Sequence, residues 1–365
     1  MTEDTALIKK REELKRQLAA GEYKTLWDVM LDGTGRLTQE LTRNPEPPSF
    51  WYGAVVIALM TLLISFLTSI LLGEFYPLRR EVILLEISET GAVLTLVIGG
   101  KILSGIVFTT LHDHLLDAIE SVADLADLQR WLVAVSNVKK PLFFCLAYGI
   151  LLGLYTSISI STTRGGFVGF GPTILSVILI SQFGMFVYYL FLYLTLPARL
   201  SRYQFKLYAA DPSSSEVIDH LSDMLNNVVY IAAVLAAIAT LASVLFGLVT
   251  LTHIIRLVLT GWGPLIALFV INQYTLAKII TKAKWKKLSE IQAKIETLEA
   301  EEDIPSEKTL AHLGKLMDYH DRIKATRNSA LDLRAGLNFL NSLLLPLLAF
   351  VLANLKEVLK LFSGR

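Results

Sequence analysis

Acidic residues are missing from every long apolar run of this chain, and cysteine is nearly absent. Seven runs of about twenty mostly apolar residues contain no Asp or Glu, and away from the run ends their only charged residue is Lys101. The single cysteine, Cys145, excludes an intramolecular disulfide, and no Cys/His spacing is typical of a zinc site. The net charge of +1 argues against a nucleic-acid partner, which would require a concentrated basic face.

What the chain does contain places it in a lipid bilayer. Of its 365 residues, 53% are hydrophobic and only 18% are charged. About 20 helical residues cross a hydrocarbon core of about 30 Å, and uninterrupted apolar runs exclude the alternating strands of a barrel. The sequence therefore predicts an all-α polytopic membrane protein with about seven transmembrane helices. The predicted spans are Phe50–Gly73, Gly91–Leu111, Pro141–Ser161, Pro172–Thr195, Val228–Gly247, Trp262–Ile280 and Leu337–Leu355.

Residues 1–49 are predicted to form a cytoplasmic N-terminal helical arm. Its first 43 residues are rich in charge and lack the short apolar core of a secretory signal. An amphipathic helix is expected over Thr5–Ala20, with Gly21 ending it, and three prolines between residues 45 and 48 close the arm.

The distribution of Lys and Arg predicts the orientation. A cytoplasmic N-terminus places the basic residues of the arm on the same side as those within 130–140, 199–206 and 282–287. This arrangement is typical of a bacterial inner (plasma) membrane protein. Residues 50–281 then hold six spans, 282–330 a cytoplasmic hairpin, and 331–365 a seventh helix that crosses or, as the alternative, is re-entrant.

Lys101 is the first candidate for a functional residue, because a cation near the middle of a span costs about 2.5–3.5 kcal/mol on insertion scales. Helical spacing places Ser104 beside it, on a face of small residues that favours contact with another helix. No predicted span supplies a carboxylate, so carbonyls, Asn272, Gln273, tyrosine hydroxyls, water or a bound anion are the expected partners. The readings that stay open are a snorkelling lysine, an anion-attracting cavity and a lysine kept uncharged.

The second candidate is a stripe of carboxylates on an amphipathic cytoplasmic helix over residues 112–140. Steps of three and four residues align its acidic positions along one side. The stripe is Asp113, Asp117, Glu120, Asp124 and Asp127. It is interpreted as a solvated face, with pairing to the basic run 282–287 or a cation-collecting vestibule as alternatives.

The hairpin of residues 282–330 shows heptad spacing over a short stretch, which favours a short coiled-coil-like pair, within the chain or between subunits. The apolar positions of its first helix are Leu288, Ile291, Ile295 and Leu298. The expected contact side of its second helix is Leu310, Leu313, Met317 and His320.

The predicted seventh span carries polar residues near one face. Asn338, Asn341 and Ser342 are candidates for lining a pore, and Pro346 for a hinge, since proline frees a carbonyl and bends a helix. Bonding between helices is the alternative interpretation of the same residues.

These observations favour an oligomeric, passive ion channel that prefers anions. The alternative is a membrane scaffold or signalling subunit that binds a soluble cytoplasmic partner, and a secondary transporter is the third interpretation. The absence of acids from the spans disfavours proton relays and intramembrane catalysis. No catalytic residue, metal or cofactor is expected, and the expected partners are the bilayer and further copies of the chain.

Overall fold

In the computed structural model, the described residues are 3–42, 50–73, 80–164, 170–245, 258–301 and 307–327. They form α-helices joined by short connections, with one isolated β-bridge between Ile119 and Phe205. The helices are α1 (Glu3–Ala19), α2 (Leu26–Thr42), α3 (Phe50–Leu71), α4 (Arg80–Thr110), α5 (Leu116–Ala118), α6 (Val122–Val135), α7 (Lys139–Arg164), α8 (Phe170–Leu200), α9 (Glu216–Leu245), α10 (Gly263–Glu301) and α11 (Glu307–Ala325).

Within the described residues, six helices are long and apolar enough to cross a membrane, which supports integration into a bilayer. These helices are α3, α4, α7, α8, α9 and α10. The predicted seventh span, Leu337–Leu355, lies outside the described residues.

Helix α4 differs from its predicted span, because it begins at Arg80 rather than Gly91. The additional turns carry Glu86 and Glu89, whose side chains bond to serines of neighbouring helices. The backbone hydrogen bonds of a helix form whatever its side chains are, so the helix extends through charged residues that precede the apolar run. The expectation that the span-length helices contain no acidic residue is therefore wrong.

The closest helix pair is α7 against α8, and small residues make it possible. Gly149 and Gly153 are spaced as in a GxxxG motif, and both face α8. A Cβ added at Gly149 would lie 1.8 Å from Ser181 Oγ, and one at Gly153 would lie 2.7 Å from Val177 Cα. The two backbones are therefore so close at these positions that only glycine fits between them.

The register of α3 against α4 indicates the depth of each polar residue. Ser65 Oγ donates to Glu86 Oε1 at 3.3 Å, so the two antiparallel helices have these residues level. The same register places Ala58 level with Val93, and both belong to one buried cluster. With a rise of 1.5 Å per residue, Glu89 lies within ~3 Å of the middle of α3. Lys101 is level with Phe50, ~16 Å along the bundle from that middle.

The N-terminal arm packs directly on the span-length helices. The ring of Trp27 in α2 covers Gly100 of α4, where an added Cβ would lie 2.2 Å from Trp27 Cε2. Trp27 also contacts Tyr189 of α8, with 4.8 Å between the ring centroids. The hydroxyl of Tyr189 accepts a hydrogen bond from Leu26 N at 2.7 Å. Arm and bundle thus share one hydrophobic core.

The stretch 112–140 is not one helix, which corrects the prediction. Residues Leu111–Leu115 form a π-helical turn, and the chain is extended at Ile119 and Ser121 before α6 begins. The extended residues pair with the chain after α8, since Glu120 N donates to Gln204 O at 2.9 Å and Lys206 N to Ala118 O at 2.7 Å. This break separates the five carboxylates into groups with different partners.

Helices α10 and α11 pack against each other beyond the bundle. Leu288, Ile291 and Ile295 of α10 are buried together with Ile323 of α11. Leu316 and Tyr319 complete the contact side of α11. That side differs from the predicted one, because Leu310 and Met317 are more than half exposed at 56% and 53%.

Candidate functional site

Lys101 has a carboxylate partner, contrary to the sequence-based expectation. Its Nζ lies 2.5 Å from Oδ1 of Asp28, a residue of the N-terminal arm. The Asp28 side chain is 9% exposed and the Lys101 side chain 38% exposed. The charge of Lys101 is therefore neutralised by a residue outside the predicted spans, and the reason for an anion preference disappears.

Local sequence explains why Asp28 is available at this place. Thr25 precedes the first residue of α2 and Asp28 is the third residue of the helix, the spacing of a capping box. Thr25 N donates to Asp28 Oδ2 at 2.9 Å, and Asp28 N donates to Thr25 Oγ1 at 3.3 Å. The other carboxylate oxygen, Oδ1, is left to receive Lys101.

The remaining candidates near Lys101 have local or separate partners. Ser104 Oγ donates to the carbonyl of Lys101 one turn before it, at 3.0 Å. Asn272 Nδ2 donates to Leu225 O at 3.1 Å, and Gln273 bonds to Asn226, so both amides join α10 to α9. Asn338, Asn341, Ser342 and Pro346 lie outside the described residues.

A carboxyl group that lies outside all predicted spans is buried between α4 and α8. Glu89 of α4 is 9% exposed, and its Oε1 accepts a hydrogen bond from Ser176 Oγ of α8 at 3.0 Å. Its other oxygen, Oε2, is buried and has no hydrogen-bond partner within the described part of the chain. Since a carboxylate oxygen accepts up to two bonds, Oε2 can take a proton or meet a cation or water.

Hydroxyl groups also lie on the face of α3 that packs on α4 and α8. Thr61, Ser65 and Ser69 are buried at intervals of four residues, which places them on one face of α3. Glu86, one turn before Glu89, accepts from Ser65. At Gly171 the start of α8 approaches so closely that an added Cβ would lie 1.9 Å from Ser69 Oγ. We call Ser65, Ser69, Glu86, Glu89 and Ser176 the polar cluster.

The polar cluster has the groups that proton or cation exchange requires. An ionised side chain within a membrane span is costly, by about 2.5–3.5 kcal/mol at the helix centre on insertion scales, and no cation neutralises Glu89 within the described residues. A bound proton or cation removes that cost. Hydroxyl groups on neighbouring turns can both donate and accept hydrogen bonds, so they can relay a proton or coordinate a small cation.

The acidic stripe has structural partners at most of its positions. Lys15 lies 2.7 Å from Asp117, and Asp124 accepts from Gln204 N at 2.9 Å. Arg199 and Tyr203 both donate to Asp127. Burial of Asp127 raises its pKa, but the bonds from Tyr203 and Arg199 and the nearby positive charges lower the pKa overall.

The basic run 282–287 does not pair with this stripe. Lys282 donates to Arg202 O, Lys284 to Lys324 O and Thr326 O, and Lys287 to Glu290.

Two of these arrangements have signals in the sequence. Thr25 followed three residues later by Asp28 is a capping-box pattern, and Gly149 with Gly153 is a GxxxG pattern. The polar cluster has no comparable sequence pattern, because its residues lie on three helices that are distant in the sequence and meet only in the folded protein.

Comparisons with known proteins identify no relative: no family model, curated protein or solved structure matches the chain. Across the described ranges, no group of three or more His, Cys, Asp or Glu is placed to hold a metal ion. Function therefore has to be argued from the bundle and its polar cluster.

Proposed function

We propose that the protein is an integral membrane protein that conducts ions passively, with protons or small cations as the permeant species. The observation that carries this proposal is Glu89, a buried carboxyl near the middle of α3 with one oxygen free to exchange a proton or meet a cation. Ionisable residues within membrane-spanning helices are rare, because they are costly, and they typically mark ion pathways.

The charged groups of the structure favour cations rather than anions as the permeant ions. Lys101, the basis for expecting anions, is paired with Asp28. The polar cluster contains two carboxyl groups, and its other members are hydroxyl groups. Assembly from several copies of the chain remains part of the proposal.

The test measures flux into liposomes that contain the purified protein. Proton flux is followed with an enclosed pH-sensitive dye, and potassium, sodium and chloride flux are followed in parallel. Wild-type protein is expected to carry protons or one of the cations. Glu89→Gln keeps an oxygen acceptor for Ser176 but cannot ionise, and it is expected to reduce that flux at least 10-fold.

Asp32→Asn is the matched control, because it also removes one carboxylate but from an exposed pair with Lys24 on α2. Its flux is expected to equal that of wild type. The proposal is wrong if wild-type liposomes show no flux, or if Glu89→Gln, with unchanged thermal stability, conducts like wild type. Lys101→Gln is expected to leave ion selectivity unchanged.

A secondary transporter is compatible with the same carboxyl group, since proton-coupled transport also uses intramembrane Asp or Glu. Saturable solute uptake driven by a pH gradient, and lost in Glu89→Gln, would favour this function over a passive conduit.

The second candidate function is a scaffold that binds a soluble partner. It is favoured by α11, whose Leu310 and Met317 are apolar and exposed on the side away from α10. Affinity capture from native membranes tests it. A stoichiometric partner that is lost in Leu310→Ser/Met317→Ser, without any ion flux in liposomes, would support the scaffold.

A further inference from the structure

A cleft opens where the chain after α8 passes α10, at the end of the bundle that carries the N-terminal arm. It has a volume of about 220 Å³. Its floor includes the extended residues around Phe205, which are held by the bridge to Ile119. The charged residues that line it are Glu120, Lys206, Lys282, Lys286, Lys287 and Glu290. Four lysines against two glutamates leave the cleft with an excess of positive charge.

The lysines of the cleft differ in what they already bind. Lys282 donates to the carbonyl of Arg202 at 2.7 Å, and Lys287 pairs with Glu290 at 2.9 Å. The side chains of Lys206 and Lys286 make no hydrogen bond, and no carboxylate lies within 4 Å of them, in the ranges that the structure describes. Both residues line the cleft, so an anion bound there is attracted by two ammonium groups that have no close ion pair.

The cleft lies at the level where a bilayer surface is expected. Helix α10 begins at Gly263, and about 20 of its residues cross the hydrocarbon core, which ends the crossing near Lys282. Trp285 is 62% exposed just beyond that point and Tyr208 is 56% exposed on the other wall, as expected for aromatic residues at a membrane interface. Lipid phosphates reach this level without leaving the membrane.

We propose that this cleft binds the phosphate group of an anionic membrane lipid, with Lys206 and Lys286 as its ligands. Basic pockets beside transmembrane helices are suited to such headgroups, because the field of the anionic leaflet adds to the local contacts. The chemistry recognised is a phosphate ester, which soluble phosphates share. The position of the cleft favours the lipid as its source.

The test titrates the full-length protein in detergent with dioctanoyl phosphatidylglycerol, using dioctanoyl phosphatidylcholine and inorganic pyrophosphate as the other probes. Native mass spectrometry counts the molecules bound, and intrinsic tryptophan fluorescence gives the affinity. Saturable binding of phosphatidylglycerol is expected, with weaker binding of the other two probes. Each lysine near the surface contributes about fivefold in affinity, so K206Q/K286Q is expected to weaken binding roughly 25-fold.

K139Q/K140Q is the matched control, since it removes two exposed lysines from the same end of the bundle but outside the cleft. Its affinity is expected to be that of wild type. Glu120→Gln removes a negative charge from the cleft and is expected to strengthen binding severalfold, a gain that damage to the fold would not produce.

Three results would overturn the assignment. Equal losses in both double variants would indicate general surface charge, and unchanged affinity in K206Q/K286Q would exclude these lysines as ligands. Pyrophosphate binding as tightly as phosphatidylglycerol would show that the cleft selects a soluble phosphate.

Discussion

Asp28 shows how one side chain can serve two elements. Its Oδ2 closes the capping box of α2 with Thr25, while its Oδ1 holds Lys101 of α4. Removing Asp28 therefore weakens the start of α2 and leaves a lysine without its partner. The ion pair fastens the arm to the bundle, which explains a lysine in an apolar helix without assigning it a role in permeation.

Asp28→Ala is expected to lower stability by about 1–2 kcal/mol, chiefly through the lost cap. Lys101→Gln is expected to cost less than about 1 kcal/mol, because the lysine is partly solvated. Thermal unfolding in detergent measures both. Asp32→Ala, which breaks only the exposed pair with Lys24, is the control and should be nearly neutral. A larger loss in Lys101→Gln than in Asp28→Ala would contradict this view of the cap.

Residue-level prediction succeeded where a signal is local and failed where it depends on distant partners. The lysine in its apolar run was visible in the sequence, but its partner is 73 residues away in the arm. Glu89 was missed for a related reason. It precedes the predicted span Gly91–Leu111, and only its approach to Ser176, 87 residues away, makes it a buried residue of the bundle.

At the scale of elements, the pair α7 and α8 depends on two glycines. No larger side chain fits at Gly153, because its Cβ position lies against the backbone of Val177. Gly105 of α4 has the opposite surroundings, with nothing within 4 Å of an added Cβ. The two positions allow helix propensity and helix contact to be separated.

Gly153→Val is expected to force α7 away from α8 and to destabilise the protein by about 1–3 kcal/mol, the usual cost of overpacking. Gly105→Ala is expected to leave the melting temperature unchanged or raise it, since alanine favours helix by up to about 1 kcal/mol. Melting of both variants in one detergent provides the comparison. Equal destabilisation of the two would show that close packing is not the cause.

Element boundaries were predictable where apolar runs begin at an aromatic or proline residue, as for α3. They were not predictable for α4, whose charged first turns are stabilised by hydroxyl groups of other helices. The prediction for the region after α4 was wrong for another reason. Its period of three and four residues favours a continuous helix, but pairing of Ile119 with Phe205 extends the chain there.

For the whole molecule, six span-length helices agree with six of the seven predicted spans, and the orientation stays a prediction. The basic residues of the arm, the cleft and α10 all lie at one end of the bundle, which favours that end as cytoplasmic.

Labelling with a membrane-impermeant maleimide in intact cells tests the orientation. On a Cys145→Ala background, Leu72→Cys lies at the opposite end of the bundle and is expected to be labelled. Leu310→Cys, at the basic end, is expected to react only after the membrane is permeabilised. Both residues are exposed, at 54% and 56%. The reverse pattern would invert the topology and place the lysine cleft on the outer leaflet.

The docking of α2 also has a consequence for the order of events during synthesis. Trp27 and Leu26 emerge early, but Tyr189, which contacts both, is made 163 residues after Leu26. At 5–20 residues per second, the arm waits roughly 10–30 s before this partner exists. A 17-residue helix is marginal alone in water, so α2 completes its fold only after the five helices α3 to α7 and more than half of α8 have been made. The first part of the chain to be translated is therefore among the last to reach its final place.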